Sequence, residues 1–167
     1  TTGTLNITIK DSSFEGVIKE AVYSNADGAI TLTNVDFSNL NKAVNLNHKA
    51  TGTQTVTIQD CSFANCGADV SADQIPVRVL SSVDGGKSVL TVSGTTFTGT
   101  PEGGADILLD YGVGETTANV STAGTAANVV VEKTNNNGIP TTVPANTQNQ
   151  SFATVEPVAK IGEQGYN

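Results

Sequence analysis

One eight-residue pattern recurs four times along this chain and limits what it can fold into. It appears as Ile7-Thr8-Ile9-Lys10-Asp11-Ser12-Ser13-Phe14, then as Ile30-Thr31-Leu32-Thr33-Asn34-Val35-Asp36-Phe37. It returns as Val56-Thr57-Ile58-Gln59-Asp60-Cys61-Ser62-Phe63 and Leu90-Thr91-Val92-Ser93-Gly94-Thr95-Thr96-Phe97. The phenylalanines are spaced 23, 26 and 34 residues apart, so the insertions between repeats grow toward the C-terminus. Each unit opens on apolar-Thr-apolar alternation, the period of a strand with one buried face. Two residues past each phenylalanine stand Gly16, Asn39, Asn65 and Gly99. Glycine and asparagine enter the left-handed backbone region cheaply, so this column predicts a sharp bend at one corner of every repeat.

A second apolar strand follows in each unit: Ala21-Val22-Tyr23, Ala43-Val44-Asn45-Leu46, Val77-Arg78-Val79-Leu80 and Ile107-Leu108-Leu109. A weaker fifth turn is expected from Asn119 to about Lys133, with Val129, Val130 and Val131 in the second-strand role. A repeat this short cannot bury its apolar face alone, and stacking equivalent strands about 4.8 Å apart gathers the phenylalanine and aliphatic columns into interior ladders. Composition agrees. Charged residues make up 14% of the 167-residue chain against a usual 25% or so, and Met and Trp are absent. Thr, Val and Ile dominate the patterned stretches, and they suit a pleated surface better than a helix. The competing reading is a short helix over Glu15–Tyr23, where Val17, Ile18 and Val22 are apolar.

On the bend column and the inward aliphatic ladders, residues 4–134 resemble the right-handed parallel β-helix of the pectin-lyase-like superfamily. The resemblance implies an all-β, single-stranded right-handed parallel β-helix, a solenoid of about five coils with an irregular C-terminal tail. It implies little about a reaction, because that fold hosts lyases, hydrolases, phage tailspikes and plain adhesive surfaces. The expected organisation is a β-helix domain over 1–134, a polar linker over 135–150, and a tail over 151–167 that pairs as a strand, caps the stack or opens a following module. Pro140 and Pro144 and the run Asn135-Asn136-Asn137-Gly138 give the linker loop chemistry. The stretch Val158-Ala159-Lys160-Ile161-Gly162-Glu163-Gln164-Gly165-Tyr166 is similar to the opening strand of repeat modules in large surface proteins of Gram-positive gut bacteria. The chain accordingly reads as a piece of a longer extracellular, wall-attached or secreted polypeptide.

The charge balance is 8 Lys and Arg against 16 Asp and Glu, a formal net charge of −8. Nucleic acid and anionic membrane surfaces recruit basic patches, so neither is an expected partner. No apolar run reaches membrane-spanning length, and no membrane insertion is expected.

Candidate chemistry is sparse. Asp11, Asn34, Asp60 and Gly94 share one column, which sets Asp11 and Asp60 about 9.6 Å apart, two strand spacings. That overlaps the separation of about 6.5–9.5 Å used by inverting glycosidases, so these two would be the catalytic pair of any enzyme here. Asn34 stands between them, and a ladder capping backbone amides at a bend explains the column without catalysis. The further aspartates and the Gly-His-Gly element of polygalacturonases are lacking, and Arg78 is the only arginine for a polyuronate. His48, the only histidine, is expected as a solvent-exposed loop residue in Asn47-His48-Lys49. Cys61 and Cys66 read as small core side chains in preference to a disulfide. No metal site is expected. Gly103-Gly104-Ala105-Asp106-Ile107-Leu108-Leu109-Asp110 has a faint likeness to calcium-binding nonapeptides, so Ca²⁺ is admitted without being required. The outward column Thr8, Thr31, Thr57 and Thr91 is tempting as an ice-binding array, but only Thr31-Leu32-Thr33 completes the Thr-x-Thr pair.

The expectation is therefore a non-catalytic binding or display module, monomeric as an isolated domain. Its ligand would be a host protein such as mucosal immunoglobulin, or a host glycan. Contacts would come from the lengthened loops 64–76, 81–88 and 98–105, with Asp69, Asp73, Gln74, Asp84, Lys87 and Glu102 as candidate binding residues. A carbohydrate-active domain, whether lyase or hydrolase, and a passive spacer are the alternatives.

Overall fold

The computed structural model describes residues 3–16, 20–67, 75–102, 104–110 and 114–132, together with the short strands 141–143, 150–154, 159–161 and 164–166. Among these residues the fold is all-β, without a helix. In chain order the strands are β1 (Ile7–Glu15), β2 (Val22–Ser24), β3 (Gly28–Ser38), β4 (Val44–His48) and β5 (Thr53–Gln59). They continue as β6 (Ser62–Ala64), β7 (Val77–Ser81), β8 (Lys87–Thr98), β9 (Ile107–Asp110) and β10 (Glu115–Thr122). The last five are β11 (Val129–Glu132), β12 (Thr141–Val143), β13 (Gln150–Thr154), β14 (Ala159–Ile161) and β15 (Gln164–Tyr166).

Each repeat gives one strand to each of two sheets. The first sheet runs β1-β3-β5-β8-β10 in parallel, with β6 also pairing β3 and β8. The second runs β2-β4-β7-β9-β11, again parallel. The register follows the repeat residue for residue, placing Ile9, Leu32, Ile58, Val92 and Val120 in one ladder. Across the core, the second sheet contributes Val22, Val44, Val77, Ile107 and Val129 as another. The rings of Phe14, Phe37, Phe63 and Phe97 stack at centroid distances of 5.4, 4.8 and 4.8 Å, within 10° of parallel. Aromatic pairs add about 0.5–1.5 kcal/mol each beyond their buried area.

The column Asp11, Asn34, Asp60 and Gly94 has left-handed φ values of 48°, 52°, 53° and 58°. One such residue inside an extended segment breaks the two-residue alternation and switches which face points inward. Leu32 is buried before the switch in β3, and Val35 and Phe37 are buried after it. The predicted bend column is left-handed too, with φ 114° at Gly16, 56° at Asn39, 51° at Asn65 and 70° at Gly99. The helix considered over Glu15–Tyr23 does not form in the described part: Glu15 ends β1 and Val22 opens β2, while residues 17–19 lie outside the described residues.

Two segments differ from expectation. The fifth repeat begins at Glu115, not Asn119, because β10 pairs β8 from Lys87 onward. Its Thr and Ala residues weaken the apolar signal, and Thr122 opposes Thr95 after a register shift that omits the left-handed residue. Within the segment read as linker, Thr141–Val143 forms β12, antiparallel to β11. β13 likewise lies antiparallel on β10, and β14 and β15 form a hairpin. Both sheets thus end on an antiparallel strand that satisfies an otherwise open parallel edge.

Candidate functional site

The carboxylates of the Asp11 column serve the bend. Asn34 lies between Asp11 and Asp60 and donates its Nδ2 hydrogen to Asp11 Oδ1 at 2.7 Å. Gln59 Nε2 donates to Asp60 Oδ2 at 3.1 Å. The carboxylates therefore accept from side-chain amides, where sequence suggested backbone amides. All of these groups are exposed.

The loop candidates divide between two sides of the molecule. Asp69, Asp73 and Gln74 lie outside the described residues. Asp84 is exposed in the turn from β7 to β8, where the chain passes from the second sheet to the first. Lys87 opens β8 on that same side and pairs with Glu115 at 3.5 Å, an exposed contact worth at most about 1 kcal/mol. Glu102 is exposed in the opposite connection, from first sheet to second. The structure thus groups Asp84 with Lys87 and separates both from Glu102.

The outward face of the second sheet carries a row, polar until it ends on the buried Leu108, that sequence reasoning did not assemble. Tyr23, Asn45, Arg78 and Leu108 are register neighbours on β2, β4, β7 and β9. Tyr23 is 46% exposed and is one of two large hydrophobic side chains on the described surface, with Leu5. Asn45 Nδ2 donates to Glu20 Oε1 at 2.7 Å, and Lys42 Nζ stands 3.9 Å from the same oxygen. Arg78 Nη2 donates to Asp110 Oδ2 at 3.0 Å, with Asp110 fully buried. The only arginine of the chain therefore serves an internal ion pair, and a polyuronate would have to compete with Asp110 for it. In the stretch likened to calcium nonapeptides, Asp106 accepts from the Thr100 hydroxyl and from the Asn128 backbone N–H. Both carboxylates there are engaged by protein donors. Among the described residues, no group of three or more His, Cys, Asp or Glu could hold a metal ion.

His48 corrects an expectation. It is fully buried at the end of β4, with Nε2 2.7 Å from Asp27 Oδ1. The signal was present in Val44-Asn45-Leu46-Asn47-His48, where strand alternation points His48 inward after Val44 and Leu46. Its neighbours are polar. Gln54 Nε2 donates to Ser24 Oγ at 3.2 Å and to the Ala26 carbonyl at 2.9 Å. Ser81 is in register with His48, and Ser88 with Gln54, all of them buried. Asp27, His48 and Ser81 have the composition of a nucleophilic triad. However, Ser81 Oγ makes no hydrogen bond to His48, and both side chains are sealed from any substrate. The same corner carries a second missed column, Gly52, Gly86 and Gly114, aligned by the pairs Lys87 to Thr53 and to Glu115. A Cβ at Gly86 would lie 2.6 Å from the Ala50 carbonyl oxygen, and one at Gly114 2.6 Å from that of Gly86. Gly52 instead makes room for the Asp27 carboxylate, and Gly114 also for the Ser81 hydroxyl.

Cys61 and Cys66 are free, buried thiols. Burial pushes both up from the ordinary thiol pKa, partly offset by hydrogen bonding to backbone groups. Among the described residues no helix is long and apolar enough to cross a membrane. Comparison with protein-family models, with curated proteins and with solved structures finds no match to this chain.

Proposed function

We propose that the two parallel sheets are faces of a single-stranded right-handed parallel β-helix of about five coils, acting as a non-catalytic binding and display module of a bacterial cell-surface or secreted protein. The alternation of consecutive strands between two parallel sheets supports the solenoid, and crossovers between parallel strands are right-handed as a rule. One observation carries the binding reading. The polar groups with chemical potential are spent on holding neighbouring repeats together: Asn34 on Asp11, His48 on Asp27, Arg78 on Asp110 and Asn128 on Asp106. What projects freely among the described residues is recognition chemistry: the Tyr23 ring on the second sheet and the exposed Asp84 and Glu102 of the lengthened loops. Loops and edge aromatics on a rigid scaffold are where binding residues concentrate. The ligand class is a host protein such as mucosal immunoglobulin, or a host glycan.

The test presents the purified chain to immobilised immunoglobulins, mucins and a glycan array, with a polyuronate degradation assay in parallel. Saturable binding that weakens at least tenfold in Tyr23→Ala, or on shortening residues 67–75, supports the module. Product formation abolished by Asp60→Ala would replace it with the enzyme reading, and absence of both binding and turnover would leave a spacer.

A further inference from the structure

The buried corner around His48 contains four polar atoms that share a chemistry. His48 Nδ1, Gln54 Oε1, Ser81 Oγ and Ser88 Oγ are all sealed from solvent and have no hydrogen-bond partner among the described residues. Their side chains are at most 1% exposed. They occupy adjacent rungs, His48 beside Ser81 in the second sheet and Gln54 beside Ser88 in the first. A buried polar group left unpaired costs stability, so four in one corner require a common explanation.

Their donor and acceptor roles follow from the partners they already have. Gln54 Nε2 points to the Ala26 carbonyl, which can only accept, and this fixes the amide with Oε1 as the free acceptor. His48 Nε2 lies 2.7 Å from Asp27 Oδ1, and in the tautomer that donates its Nε2 hydrogen to that carboxylate, Nδ1 is a second acceptor. The two serine hydroxyls each offer a hydrogen and lone pairs. Two acceptors and two hydroxyl donors match the tetrahedral valence of water, which also tolerates a change of histidine tautomer. A bare cation would use both acceptors and the serine lone pairs, but would leave two serine hydrogens unpaired.

We propose that this corner is a binding site for ordered internal water, held by His48, Gln54, Ser81 and Ser88, that ties the turns between the second and first sheets to one another. Water in such sites makes about three protein hydrogen bonds and is integral to the fold. The site does not depend on the binding role proposed above.

A high-resolution crystal structure of the full chain tests it, together with water-to-protein NMR cross-relaxation on uniformly labelled protein. The expected result is an electron-density peak within hydrogen-bond distance of His48 Nδ1 and Gln54 Oε1. In solution, His48 nitrogen shifts should report hydrogen on Nε2 and an acceptor at Nδ1, with cross-peaks from long-lived water to nearby amides. Ser88→Ala should weaken those cross-peaks while the Nε2 tautomer signature persists. A corner in which Gln54 and the serines rotate to bond one another, with no internal water signal, would overturn the proposal. So would a peak that is replaced by rubidium or thallium on soaking, which would identify a cation site.

Discussion

Asp27 spans the corner between β2 and β3 to meet the fully buried His48 of the next repeat, Oδ1 to Nε2 at 2.7 Å. The contact joins two repeats through a side chain where the backbone ladder is interrupted by a turn. Asp27→Ala leaves the imidazole N–H unpaired in the interior and is expected to lower stability by about 1–3 kcal/mol. Asp27→Asn keeps an oxygen in place and should cost less. Urea unfolding of the two variants beside the parent chain reads the difference.

The phenylalanine ladder should show its order in energetics. Phe63 is stacked on both faces, between Phe37 and Phe97, and is 1% exposed. Phe63→Ala is expected to cost about 3–5 kcal/mol, the range for an aromatic removed from a close-packed core. Phe14 stacks on one face only and is half-buried, so Phe14→Ala should cost clearly less. Denaturant midpoints at constant slope would confirm that ranking.

Arg78 and Asp110 form the most deeply buried ion pair of the described residues, at 13% and 0% side-chain exposure. Removing Arg78 takes the cation away from a fully buried carboxylate, and Arg78→Leu is expected to destabilise by about 3–5 kcal/mol. Arg78→Leu combined with Asp110→Leu should recover much of that loss, because the desolvation cost goes with both charges. A double-mutant cycle measures the coupling.

The two thiols give the stability a defined alkaline limb. Burial raises the Cys61 and Cys66 pKa values above those of the unfolded chain. Between the unfolded and native values, the unfolded state has released protons that the native state still holds. Their contribution is therefore complete below about pH 8.5, the free thiol value, and is lost as pH rises beyond it. Native protein should react slowly with a thiol reagent at pH 8 and fully in denaturant. Replacing both cysteines by alanine should flatten stability between pH 8 and pH 10.

The parallel register was legible because the repeat prints its inward residues in columns. Ile30, Leu32 and Phe37 announce a buried strand face whatever lies opposite. The corner at Gly16, Asn39, Asn65 and Gly99 was legible for a backbone reason, since few residue types tolerate its φ. The opposite corner was not. Gly52, Gly86 and Gly114 follow insertions of unequal length, and their role is space for the Asp27 carboxylate at Gly52 and for neighbouring carbonyls at Gly86 and Gly114, which no local pattern states. His48 was misplaced because its polar flanks masked an inward alternation, and its partner Asp27 lies 21 residues away. The row of Tyr23, Asn45 and Arg78 depends on strand pairing across unequal loops, so it became visible only with the register.

The central claim is that successive repeats stack in parallel with one phenylalanine above the next. Nuclear Overhauser contacts among selectively labelled phenylalanine rings test it most directly. Cross-peaks should join Phe14 to Phe37, Phe37 to Phe63 and Phe63 to Phe97, with none between Phe14 and Phe63. Rings that report only contacts outside this ladder, or a direct Phe14 to Phe97 contact, would contradict it.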